Sequence, residues 1–211
     1  MERVTYKITP ACRITSQADH EPRTSNMRVM GFAGSLRAGS FNRALLRAAF
    51  EAAPEDLTIH IFELNDIPLY NGDVEAAGDP QPVAAFKSAI RDADAMLIAT
   101  PEYNHGVPGV LKNAIDWASR PPSASVLNGK PTAIIGASPG MTGSARAQTQ
   151  LRQAFNFTNT PAMLQPEILV ARAHEKFDAE GRLTDDVTRR FLGKFLAAFV
   201  NWAAQFGQRT S

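Results

Sequence analysis

The chain is nearly devoid of cysteine, with Cys12 alone in 211 residues. One thiol cannot build an internal disulfide framework, and its scarcity fits a reducing compartment such as the cytoplasm. Charge of one sign is equally scarce: 22 Lys and Arg stand against 21 Asp and Glu, a net of +1. Nucleic-acid binders carry a basic stripe; none is visible, so no nucleic-acid partner is expected. No apolar run approaches the roughly 18 residues that a membrane span needs, so no membrane partner is expected either. The first residues lack the apolar core of a secretory signal. His, Cys and carboxylates nowhere cluster at ligand spacing, so no metal is expected. Internal repeats and low-complexity tracts are missing too.

What remains is an ordinary globular composition, 44 % hydrophobic and 20 % charged, long enough for one domain with a full core. Residues 1–26 hold scattered Arg, Thr, Ser and Pro without sustained periodicity. They read as a disordered N-terminal extension, or as the result of an upstream start codon with Met27 as the working one. A transit peptide is disfavoured by Glu2, Asp19 and Glu21, because such peptides are poor in acids. The folded domain is expected over 27–211.

From Met27 onward, short apolar runs alternate with stretches of helical period. Strands are expected at 28–33, 58–64, 95–99, 132–136 and 167–170. Helices are expected at 42–53, 82–92, 110–119, 145–157 and 184–206. Residues 66–80, with two Pro, two Gly and no period, read as a long loop. Strands alternating with helices imply an α/β three-layer sandwich, a five-stranded parallel sheet with helices on both faces. The expected strand order is 2-1-3-4-5, with the switch point between the first and third strands. Chemistry then belongs just beyond the C-terminal ends of strands one, three and four.

Three unusual segments fall there. The first, Gly34-Ser35-Leu36-Arg37-Ala38-Gly39-Ser40-Phe41-Asn42, leads from a strand into a helix. A helix N-terminus attracts anions, and Ser35, Arg37, Ser40 and Asn42 add donors suited to a terminal monophosphate. The segment is not a P-loop and lacks the dinucleotide glycine spacing. The plain alternative is a helix capped by Ser40 or Asn42. The second, Pro101-Glu102-Tyr103-Asn104-His105-Gly106-Val107-Pro108-Gly109, combines two stiffening prolines with two glycines that let a flat ring approach the backbone. Its amides and carbonyls suit the pyrimidine edge of a flavin, with Tyr103 flanking the ring. His105 and Glu102 suggest acid–base chemistry, but a lone loop His without an orienting partner reads as structural, and no catalytic residue is assigned. The third, Ala137-Ser138-Pro139-Gly140-Met141-Thr142-Gly143, is small enough for backbone approach to a planar ligand.

Gly34-Ser35-Leu36-Arg37, Ser40-Phe41-Asn42, Pro101-Glu102-Tyr103-Asn104 and Leu111-Lys112-Asn113-Ala114-Ile115-Asp116-Trp117, in this order and spacing, resemble the NADPH-dependent FMN reductases, nearest to the bacterial chromate and quinone reductase branch. The likeness runs from about Met27 to Phe206. It implies a flavodoxin-like fold that binds flavin mononucleotide (FMN). It carries phosphate binding over to Ser35, Arg37, Ser40, Phe41 and Asn42, and isoalloxazine contacts to Pro101, Glu102, Tyr103 and Asn104. Ser138, Pro139 and Gly140 would lie along the ring. Many members have a second glycine after Gly143, where this chain has Ser144.

The resemblance also implies the reaction: a hydride passes from NADPH or NADH through bound FMN to quinones, free flavins, azo compounds or chromate. The flavin supplies the chemistry and the protein supplies binding and orientation. Members are commonly homodimers or homotetramers. Leu111, Ile115 and Trp117 suit an interface or a core equally well, and Arg146 and Arg152 read as solvated helix positions. The rival functions are a flavodoxin-type electron carrier, which tends to be strongly acidic, and a module that only senses flavin. The net charge of +1 speaks against the carrier.

Overall fold

The computed structural model describes residues 26–206. Apart from Asn26, the expected N-terminal extension lies outside the described residues. The sheet has five parallel strands in the order 2-1-3-4-5. These are β1 (Met27–Ala33), β2 (Leu57–Phe62), β3 (Ala95–Ala99), β4 (Thr132–Ala137) and β5 (Ile168–Val170). Strands β3 and β4 are buried at every residue, as continuous Ala/Ile/Leu/Met runs must be when helices cover both faces.

Helices α1 (Phe41–Glu51) and α6 (Asp186–Ala203) pack one face, where Leu45, Leu46, Leu192, Phe195 and Phe199 meet the sheet. Helices α3 (Gln81–Asp92), α4 (Gly109–Ala118) and α5 (Ala145–Thr158) cover the other with Phe86, Ile90, Leu111, Ile115, Leu151 and Phe155. Phe32 meets Phe86 edge-on at 5.4 Å, a geometry worth about 0.5–1.5 kcal/mol beyond area burial. Leu111, Ile115 and Trp117 are all buried at 2 % exposure or less. They are core residues of the described chain, which removes the interface alternative for these three side chains.

The structure departs from expectation most in two places, while α1 and β2 each end two residues early. Residues 66–80 are not all loop: α2 (Gly72–Ala76) forms there, capped by Asn71, whose Oδ1 accepts the Asp73 N–H at 2.9 Å. The segment is tied down from α4, where Trp117 Nε1 and Asn113 Nδ2 both donate to the Pro68 carbonyl at 2.8 Å. These bonds explain two polar groups of the 111–117 motif that a helical period leaves unaccounted for. Helix α6 is shorter than 184–206 at both ends. Thr184 donates its N–H to Lys176 instead, and Asp185 is the cap, accepting from Thr188 N at 2.8 Å.

Candidate active site

Strands β1, β3 and β4 lie consecutively in the sheet; β1 and β3 end side by side at Ala33 and Ala99, and β4 runs two residues past Ile135, the partner of Ala99. The three loops that follow are therefore side by side, at the C-terminal edge where parallel sheets bind ligands. Further bonds join them. Gly34 N donates to Ala99 O and Thr100 N to Ile135 O, each at 2.9 Å. The Ser35 and Tyr103 hydroxyls approach to 3.4 Å.

In the first loop, Ser40 is the helix cap, its Oγ accepting from Asn42 N at 3.2 Å and Arg43 N at 3.4 Å. The N–H groups of Ser35, Leu36, Arg37, Ala38 and Gly39 reach no acceptor among the described residues. A run of unpaired donors leading into a helix N-terminus favours an anion. Arg37 is exposed, with its guanidinium 5.9 Å from the Phe41 ring centroid; Phe41 itself leans on Phe177. Ser35 is buried beneath the loop. Asn42 departs from the role carried over to it. At 2 % exposure, its amide donates to Ala137 O and accepts from Ala137 N, joining the first loop to the third.

In the second loop, Tyr103 and Gly106 exchange backbone bonds at 3.2 and 3.0 Å around Asn104 and His105, both left-handed with φ of 50° and 62°. This tight turn presents Tyr103, Asn104 and His105 to solvent, while Pro101 is buried. The Glu102 carboxylate points away from them, into the start of α5. It accepts from Arg146 N at 2.9 Å, Arg146 Nη1 at 3.2 Å and Ala147 N at 3.3 Å. Burial pushes this carboxyl up, but the Ala147 amide and Arg146 outweigh that and hold it below the ordinary glutamate range. Arg146 thus pairs with Glu102 while its side chain stays about half exposed. Arg152, also expected in solvent, is half-buried with Nη1 on Met163 O at 2.8 Å, and burial lowers its pKa. Gln150 Oε1 takes the Val107 N–H at 2.6 Å and fixes the loop's far end.

In the third loop, Pro139 and Gly140 are exposed and Ser138 partly so, its Oγ accepting from Gly140 N at 3.1 Å. Gly143 has φ +56°, and a Cβ there would sit 2.8 Å from Leu169 O. Ser144 is fully buried with φ 74°. Of the five left-handed non-glycine residues described, Asn104, His105, Ser144 and Arg172 flank these loops; the fifth, Asn159, is a helix C-cap. Such strain persists where the surrounding structure holds it in place. Two surface hollows, of about 460 and 490 Å³, lie elsewhere, beside α2 and against edge strand β2. No described helix is long and apolar enough to cross a membrane.

A doubly wound parallel sheet of order 2-1-3-4-5, with three loops gathered beyond the ends of β1, β3 and β4, defines a flavodoxin-like fold. The sequence profile of NADPH-dependent FMN reductases matches residues 27–175, and the chain belongs to that family of oxidoreductases. It is 48 % identical over 179 residues to an NAD(P)H-dependent FMN reductase of Pseudomonas aeruginosa, covering 85 % of this chain and 96 % of the relative. A quinone reductase of Pseudomonas putida is 46 % identical over 169 residues, 80 % of this chain and 90 % of its own. The solved structure of a flavoenzyme NAD(P)H:(acceptor) oxidoreductase of Paracoccus denitrificans shares 39 % identity and superposes with a TM-score of 0.79, covering 85 % of this chain and 98 % of that one.

Proposed function

We propose that the three loops bind one FMN and that the protein passes reducing equivalents from NADPH or NADH to quinones, with free flavins, azo compounds and chromate as further acceptors. The observation that carries this reading is the run of unpaired amides from Ser35 to Gly39 beside an exposed Arg37. Bound there, FMN would supply the two-electron chemistry. The protein's part is positional. Ser35, Arg37 and the loop amides hold the phosphate. Pro101, Tyr103, Asn104 and the second loop's backbone meet the ring, and Ser138, Pro139 and Gly140 lie along it. Asn42, Glu102 and Ser40 act one step back, fixing the loops that make contact. The exposed second and third loops favour broad acceptor choice and turnover with donor and acceptor taking turns on one face. In this reading the protein is a cytoplasmic homodimer or homotetramer.

Anaerobic stopped-flow mixing of FMN-loaded protein with NADPH tests the proposal. Rapid bleaching of the flavin, followed by reoxidation with a quinone, is the expected result. Flavin that stays oxidised over minutes would instead identify an electron carrier or a flavin sensor.

A further inference from the structure

Arg172 stands just past the end of β5 in a conformation that a long side chain rarely adopts, φ 48°. Glycine would occupy this backbone without the Cβ clash. Two bonds to the third loop hold the segment there: Arg172 N donates to Gly140 O and Ala173 N to Ser138 O, each at 3.0 Å. The guanidinium is exposed and turns back over the same loop, with Nε 3.4 Å from Met141 Sδ. A thioether is a weak acceptor, and no carboxylate among the described residues lies within ion-pair distance of Arg172. A planar fork of five donors therefore stands on a fixed backbone at the outer rim of the site, with no carboxylate partner among the described residues.

This position is separate from the first loop. Three strand spacings part the ends of β1 and β5, roughly 14 Å at the usual spacing, so Arg172 does not duplicate Arg37. Given the proposed function, the anion that must arrive from solvent at this rim is the dinucleotide donor, which carries phosphates. We infer that Arg172 binds a phosphate of the nicotinamide dinucleotide and thereby sets donor affinity. The shared chemistry is a phosphate monoester or diester. NADPH offers it as the 2′-phosphate and the diphosphate, NADH as the diphosphate alone.

The test is calorimetric titration of FMN-loaded protein with NADP⁺ and with NAD⁺, which reads binding without turnover. The variants are Arg172→Gly, suited to the left-handed backbone, Arg172→Lys, and Arg189→Ala as an equal loss of charge on α6. Arg172→Gly should weaken NADP⁺ by roughly 10- to 150-fold, the worth of a charge-assisted bond, and Arg172→Lys should restore part of it. Loss for NADP⁺ alone assigns the 2′-phosphate; equal loss for NAD⁺ assigns the diphosphate. The inference is overturned by NADP⁺ affinity unchanged in Arg172→Gly, by the same loss in Arg189→Ala, by no recovery in Arg172→Lys, or by a parallel loss of FMN. Wild-type protein that binds neither dinucleotide overturns the proposed function as well, whereas wild-type binding indifferent to Arg172 overturns this inference alone.

Discussion

Asn42 holds Ala137 by both of its backbone groups across 95 positions of sequence, donating Nδ2 to the carbonyl at 2.8 Å and accepting the N–H on Oδ1 at 2.9 Å. The pair is buried, so neither backbone group has water to fall back on. Replacing Asn42 by Ala leaves a donor and an acceptor orphaned, at about 2–4 kcal/mol. Urea unfolding should show the midpoint falling with an unchanged slope. A loss below about 1 kcal/mol would mean that water takes over the two bonds and that Asn42 is not the link between the loops.

Glu102 makes a pH prediction. Its carboxyl is held below the ordinary 4.5 in the folded protein. Its contribution is therefore complete above that value and lost as pH falls through the depressed folded value. Wild type should exceed Glu102→Gln by about 1 kcal/mol at neutral pH, the difference between charged and neutral hydrogen bonds. The gap should stay constant down to about pH 5.5 and close below the free glutamate value. Urea melts of both proteins across this range check it, and a gap that widens on acidification contradicts it.

Gly143 and Ser144 are adjacent left-handed residues with opposite expectations. Gly143→Ala combines backbone strain of about 1–2 kcal/mol with a collision against the Leu169 backbone, and should cost about 2–4 kcal/mol in total. Ser144→Gly relieves strain while losing a 3.4 Å bond from Gln148 Nε2, and should stay within about 1 kcal/mol of wild type. Thermal melts rank the two, and the reverse ranking would show that Ser144 is held by packing rather than tolerated despite strain.

Arg37→Ala should weaken FMN by roughly 10- to 150-fold, the value of one hydrogen bond to a charged group. Riboflavin, which has the ring and no phosphate, should bind wild type and variant alike. Fluorescence titration of both proteins with both flavins separates a phosphate contact from a loop brace. Equal losses for the two ligands would remove Arg37 from the phosphate site.

The alternation of strands and helices, the strand order and the three loops beyond strands one, three and four were legible in the sequence. Each rests on local composition: short apolar runs, helical period, and Gly, Pro and Ser at strand ends. The direction of the polar side chains within those loops was not. Asn42 and Glu102 sit in the motifs, yet one faces Ala137 and the other the start of α5. Leu111, Ile115 and Trp117 would show the same period in a core or an interface, and only the packed sheet placed them inside. Arg172 carried no signal at all, because its left-handed backbone is held by bonds from Arg172 and Ala173 to Gly140 and Ser138 in the loop after β4. Periodicity reports which face of an element is apolar. Where a polar group finds its partner depends on residues brought together from distant parts of the chain, and that only the tertiary structure decided.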